Sequence, residues 1–533
     1  DIQILLDKMS TENSELKLMT DDDIQSFIMD GIFSISPGVS VSTHQEIHES
    51  LVHSCETESP LGNNVLSRIP QMHQILRDPK VSGSLTSILG ENYLLHPHRA
   101  VHRSTPVSED TSNFDISTDK YLLGKNSTAT SLWHQDAQSP TARARHHLPK
   151  YVIGFYFPHE VTSSMGPTRF KLGSYMQEDE SAEDNLYQPT HINAGTFILC
   201  HFDMVHAGFP NFAKFDRYLV KFVFTRTEYP VKPRWDMKDT SWKTSSNAMT
   251  KNSYLNAWEH IWNWLLGDAA VSKNIHYSMQ KTNTNKDQRI ESIYNPEQIV
   301  TLIKRLRSCE GENRHKRTLI QTEKEEYTLQ DKKTDERRWN ERAVVMEDES
   351  YALASIGEAA LDDVLKLLDS HDPWIQINGI FIIGEIGYSS EKIVEILSKF
   401  LQSPHQEVIR QTLDTLAVMP NQITSACLSA ISALLKEKPA NWLNAIVERG
   451  WTASDQIYLN ASILLLNCSY KGKNKDNLES VLNNILQFSS GYSSIVASKA
   501  LVNLGSSTAI NTALTYFSDR AWDDTLIPSK KRY

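Results

Sequence analysis

Cysteine is scarce in this chain. Five residues among 533, Cys55, Cys200, Cys309, Cys427 and Cys468, are widely scattered, and none falls in a C-x-x-C pair. An odd, dispersed set gives no disulfide framework and fits reduced thiols in an intracellular, cytoplasmic setting. Long apolar runs are also lacking: no stretch reaches the roughly 18 residues of a membrane span, so no membrane partner is expected. No charged-then-apolar leader occurs, but the chain opens at Asp1 and targeting is left open. Positive charge is not in excess. A formal charge of −11 leaves no global attraction for nucleic acid, and small molecules or proteins are the expected partners.

What is present is a globular composition, 40% hydrophobic and 22% charged with 11 tryptophans. At 533 residues the chain exceeds one ordinary core, so two or three domains are expected. Residues from about 20 to 55 read as mostly helical, with Thr20 and Asp21 as caps for "TDDDIQSFIMDGIF". From about 150 the period changes: "KYVIGFYFPHE", "THINAGTFILCHFD" and "RYLVKFVFTRTEYP" are short, β-branched and aromatic, as strands are. Beyond Pro230, Trp258, Trp262, Leu265 and Leu266 share a helical face expected to pack on the preceding domain. Residues 303 to 345 mix charges of both signs densely, as a solvated helix or mobile connector does. After 345, Leu361, Val364, Leu367, Leu368, Ile375 and Ile383 recur at an offset of 33 residues as Val394, Leu397, Phe400, Leu401, Val408 and Leu416. Such repetition describes stacked helix pairs that cover one another, and it resembles HEAT-like repeats. The expected division is 1–230, a Trp-rich extension and connector over 231–345, and an α-solenoid over 346–533.

One short stretch carries the chemistry. "SLWHQDAQSP" holds His134 and Asp136 around Gln135, and on an extended strand the two outer residues point to the same side. His206 is the candidate third ligand. Two imidazoles and a carboxylate form the facial triad that holds iron(II) with positions open for O2 and an organic chelator. Eleven residues after His206, across an expected hairpin, Arg217 enters the apolar run "YLVKF". A cation there demands an anionic partner, which the distal carboxylate of 2-oxoglutarate supplies. His201 is the rival ligand but lacks that spacing to arginine.

"HQD", "MGPTRFKLGSY" (165–175), "AGTFILCHFDMVHAG" (194–208) and Arg217, in that order over roughly 20 to 230, resemble the phytanoyl-CoA dioxygenase family. Leu172 and Tyr175 depart from the proline and histidine of that family's glycine-rich segment. The resemblance implies a double-stranded β-helix, or jelly roll, so that the fold class is multidomain α+β with an all-α solenoid behind it. It implies iron ligands His134, Asp136 and His206, an Arg217 clamp on the cosubstrate 2-oxoglutarate, and Gln135 beside the metal. The family's serine after the distal histidine is here Gly208, which leaves Thr168 or Thr196 to supply the hydroxyl. His102 and Lys125 are weaker candidates for the keto-acid end.

The implied activity is hydroxylation, or another oxidation, of an unactivated carbon in a small organic substrate, with succinate and CO2 as coproducts. The alternatives are an inactive jelly-roll/HEAT scaffold and a cupin-like iron oxygenase that does not use 2-oxoglutarate. "RARHHLPK" (143–150) reads first as a solvated loop and second as an attractor for an anionic substrate. His159 and His191 read as turn or edge residues. The solenoid is a candidate surface for a protein partner or a dimer.

Overall fold

The computed structural model describes residues 15–57, 61–62, 64–106, 147–176, 185–251, 254–267, 296–311, 346–436, 453–471, 474–488 and 492–519. His134, Gln135, Asp136, Lys125, the first half of "RARHHLPK" (143–146) and the charged stretch 312–345 lie outside them. The helix Asp21–Asp30 begins as its sequence dictates: Thr20 caps it, with Thr20 and Asp23 forming a reciprocal box. Asp21 does not cap but accepts hydrogen bonds from Trp235 Nε1 at 2.7 Å and from the Lys238 and Asp239 amides at 2.9 Å. The segment 20–55 is mostly helical, as read, with one interruption that begins at Gly31. Its φ of 80° stops the helix, and the next residues form strand β1, Ile32–Ile35.

The remaining strands are β2 (Leu94–Ser104), β3 (Tyr151–Tyr156), β4 (Val161–Thr162), β5 (Arg169–Lys171), β6 (Leu186–Tyr187), β7 (His191–Ile192), β8 (Phe197–His201), β9 (His206–Ala207) and β10 (Arg217–Thr225). The three segments read as strands are therefore strands. They build a five-stranded antiparallel sheet in the order β1-β8-β3-β10-β2, a three-stranded sheet β6-β5-β9, and the pair β4-β7. The expected hairpin from His206 to Arg217 does not form. β9 pairs with β5 and β10 with β2 and β3, so the chain crosses from one sheet to the other between the two residues.

Register and alternation give the larger sheet two distinct faces. Val220 lies opposite Tyr156 and Lys221 opposite Phe155. Tyr156, Phe197, Phe222 and Phe224 thus share the outer face, where the Tyr156 hydroxyl meets His44 Nδ1 at 2.8 Å on the helix Val41–Thr57. Glycine is required at 154 on this face because a Cβ would run into the Phe197 ring. The inner face carries Arg217, Leu219, Lys221 and Phe155. It meets the smaller sheet, where the Phe155 ring centroid lies 5.6 Å from Phe170 and 5.3 Å from His206. Burying each of these phenylalanines contributes roughly 2 to 3 kcal/mol.

Trp258, Trp262, Leu265 and Leu266 are buried, as their spacing predicts. Trp262 packs on Trp235 at 5.1 Å and donates Nε1–H to the Thr240 carbonyl. Helix pairs follow. A short helix Leu361–Leu365 and helix Pro373–Ile386 are succeeded by Glu391–Ser398 and Gln406–Leu416, with the 3-10 turns Lys366–Asp369 and Lys399–Gln402 in the same relative place. Asp372 caps the first long helix ahead of Pro373, which is suited to a first helical position.

At the end of the larger sheet where β3 begins, Lys150 and His147 are buried against these helices. This corrects the reading of their segment as a solvated loop. The Lys150 ammonium pairs with the Asp414 carboxylate, and Tyr229 donates to the Asp414 carbonyl at 3.0 Å. A local charge run gives no hint of an acid 264 residues away. One contiguous apolar core spans Met19 to Ala513. Asp414→Asn should lower the unfolding free energy by about 3 to 5 kcal/mol, because it strands a buried ammonium. Much of the loss should return in Lys150→Met/Asp414→Leu. Urea denaturation checks both, and an unchanged midpoint for the single variant would remove the pair's structural role.

Candidate functional site

His206 opens β9 and is buried between the sheets, with Phe155 and Phe170 against its ring. Its Nδ1 lies 3.0 Å from the Met204 carbonyl oxygen. A carbonyl only accepts, so Nδ1 carries the hydrogen, and the neutral ring presents its lone pair at Nε2. That is the tautomer a metal requires. His201 is different. Its Nδ1 accepts the Asp203 amide at 3.2 Å and its Nε2 donates to the His147 carbonyl at 3.0 Å, so both nitrogens are engaged in structure. Among the described residues no three His, Cys, Asp or Glu side chains gather as a metal site. His134 and Asp136, the other two expected ligands, and Gln135 beside them fall outside those residues.

Arg217 begins β10 on the inner face and is 6% exposed. Its Nη1 donates to the Met165 carbonyl at 3.2 Å and the Phe209 carbonyl at 3.4 Å. No carboxylate pairs with it among the described residues. Burial pulls its pKa down to about 10, which still leaves the guanidinium charged at neutral pH. The two carbonyls come together because Gly166, at φ 69°, lets the 165–168 turn press on the 208–212 loop. A Cβ there would collide with the carbonyl oxygens of Pro210 and Phe209.

Of the hydroxyl candidates, Thr168 is buried at the end of that turn. Thr196 donates to the Asn193 carbonyl at 2.8 Å and so is engaged in the turn before β8. Gly208 offers its carbonyl to Arg169 Nη2 at 3.1 Å. His102 lies opposite Leu219 in the β2–β10 register, on the inner-face side of β2, and is exposed. Lys221 was not singled out from the sequence. It is buried on the same face as Arg217, and the two-residue alternation of "RYLVK" would have found it. Two cations, Arg217 and Lys221, are buried on this inner face, and Arg169 is buried on the other side of β5 from Phe170, over the Phe209 ring.

His159 sits at the turn after β3, as expected, and works as a structural histidine. Its Nε2 accepts the Tyr218 amide at 2.9 Å while Nδ1 donates to the Glu160 carbonyl at 2.7 Å. Burial first, then the neighbouring His48 and Arg217, push its pKa down to about 4. The unfolded chain therefore takes up this proton more readily, and the stability is intact above pH about 6.5. It should fall as the pH drops from there to about 4, by up to about 3 kcal/mol from this group. His159→Gln should flatten that part of a melting-temperature profile relative to wild type. Parallel profiles would contradict the assignment. Gly166→Ala should cost at least about 2 kcal/mol through the left-handed backbone and the collision together, measurable in the same melts.

No protein-family model matches the chain, and no curated protein matches it. Among solved structures, a non-heme monooxygenase, the ThoJ–nickel complex, aligns at 14% identity over 45% of this chain and 94% of its own, with a TM-score of 0.28. SnoN, a non-heme α-ketoglutarate-dependent epimerase from nogalamycin biosynthesis, aligns at 14% identity over 39% of this chain and 82% of its own, with a TM-score of 0.31. HygX from Streptomyces hygroscopicus, with nickel and 2-oxoglutarate bound, aligns at 11% identity over 44% and 96%, with a TM-score of 0.30. Likeness this low fixes neither the fold nor the activity of this chain.

Proposed function

We propose that the chain is an iron(II)- and 2-oxoglutarate-dependent dioxygenase that oxidises an unactivated carbon of a small, anionic organic substrate. The carrying observation is Arg217: a charged guanidinium on an inner wall, held by main-chain carbonyls and lacking a carboxylate partner among the described residues. A buried charge left so is costly unless an anion completes it, and the far carboxylate of 2-oxoglutarate fits. The finer fold reading, a double-stranded β-helix followed by HEAT-like repeats, belongs to this proposal, as does the resemblance to the phytanoyl-CoA dioxygenase family. No described helix is long and apolar enough to cross a membrane.

His134, Asp136 and His206 would hold the iron, with Gln135 beside it. Bound iron(II), with 2-oxoglutarate and O2, supplies the oxidising power and leaves succinate and CO2. The chain's own residues do the rest. Met204 fixes the His206 tautomer through its carbonyl. Phe155 and Phe170 keep water from the ring. Arg217 orients the cosubstrate. Thr168 is the better placed of the two hydroxyl candidates, because Thr196 serves its own turn.

Arg217→Leu should weaken 2-oxoglutarate binding by roughly thirtyfold to several thousandfold, the equivalent of about 2 to 5 kcal/mol for one partner of a desolvated charge pair. Metal binding should be unchanged. Calorimetric titration decides it, and equal cosubstrate affinities for both proteins would sink the assignment. His206→Ala should abolish stoichiometric iron(II) binding while leaving the far-ultraviolet circular dichroism intact. Iron bound as tightly as by wild type would show that His206 is not a ligand.

A further inference from the structure

The helical half reaches the proposed metal site through hydrogen bonds linked by short main-chain segments. It starts at Tyr351 in the helix Asp348–Ile356. The Tyr351 hydroxyl accepts the Met346 amide at 3.0 Å and meets His147 Nδ1 at 3.0 Å. His147 is fully buried, and its ring is wrapped by Tyr351, His260 and Phe381 at centroid distances of 5.0, 6.1 and 6.5 Å. His260 is itself tied to the repeat residue Glu385 at 3.1 Å. From His147 the chain passes through the main chain. Its carbonyl accepts Nε2–H of His201, whose Nδ1 accepts the Asp203 amide, so the His201 ring has one permitted tautomer and no freedom to flip. The Met204 amide donates to the His201 carbonyl at 3.0 Å, and the Met204 carbonyl accepts from His206 Nδ1 at 3.0 Å. Around this turn Tyr175 stacks on His201 at 4.1 Å, and Ser174 Oγ accepts the Val205 amide at 2.8 Å.

We infer that the helical repeats are a positioning element for His206: Tyr351 and His147 hold His201, and His201 holds the 201–206 turn that aims the imidazole. This rests on His206 being a metal ligand, as proposed above. The turn is short and its two ends lie in different sheets, since β8 belongs to the larger and β9 to the smaller. Backbone bonds reach it at Phe202, Met204 and Val205, and the side-chain ties of His201, Ser174 and His206 fix the rest of its shape. A ring that rotates by tens of degrees no longer points its lone pair at a fixed ion, and groups behind a ligand commonly govern tenfold to a hundredfold in metal affinity. On this account the repeats contribute to the metal centre without donating a ligand, and removing a hydroxyl in the helical half changes the ligand field.

The test uses the full chain and cobalt(II) as a spectroscopic stand-in for iron, measuring both affinity and the visible absorption band. Tyr351→Phe should weaken cobalt binding by about threefold to tenfold and shift the band, a smaller effect than that of a group bonded directly to a ligand. His201→Leu should weaken it by about tenfold or more, whereas His201→Gln, which keeps a donor for the His147 carbonyl, should recover part of the loss. Tyr458→Phe is the control. It deletes another buried hydroxyl of the helical half, one that donates to the Leu435 carbonyl at 2.7 Å, and should leave the band in place. Folded Tyr351→Phe and His201→Leu with wild-type affinity and spectrum would overturn the positioning role alone. A wild-type protein that binds no cobalt would overturn the metal-site reading, and the inference with it.

Discussion

The desolvation of one guanidinium organises the proposed catalytic half. Arg217 is among the most costly side chains to remove from water, and its neighbourhood is built around reducing that cost. Two loops converge to offer carbonyl oxygens, one of them bends through a left-handed glycine to do so, and a nearby histidine is kept neutral. Carbonyl dipoles soften a buried charge without neutralising it. The wall stays positively biased, and an anion that enters finds its donors already in place instead of having to gather them. Pre-arranged donors of this kind are worth more in a dry space than in water.

The inner-face alternation of β10 explains how much of this was legible beforehand. A charged residue inside a run of strand-forming apolar residues is anomalous in any one-dimensional reading, so Arg217 could be picked out with no structure at all. Lys221 has the same property two alternations further along, but in the sequence only Arg217 also stands at a meaningful distance from His206. The three strand segments and the tryptophan stripe followed from period alone, since each buries one face locally. The 33-residue recurrence likewise announced paired helices.

What escaped depends on contacts between distant segments. β1 is hidden because "IF", just after Gly31, extends the apolar period of the helix before it although Gly31 reverses the backbone between them, and only pairing with β8 shows why two large residues follow. The supposed hairpin after His206 failed because strand spacing does not reveal which sheet a strand joins. Lys150 and His147 sat in a run of cations that looks solvated by itself. Their burial is dictated by an acid and a tyrosine far along the chain, in helices whose own sequences look like ordinary repeats.

That separation has a consequence for the order in which the molecule can be made. Lys150 lies 264 residues ahead of Asp414. At ribosomal speeds of about 5 to 20 residues per second, the segment around β3 waits roughly 13 to 50 seconds for its counter-charge to be synthesised. Through that interval Asp414 is not yet made, and Tyr351, the partner of His147, arrives 204 residues after it. Final docking then belongs to the end of translation, and a chain stalled within the repeats would carry an unfinished sheet end into the reach of cellular quality control.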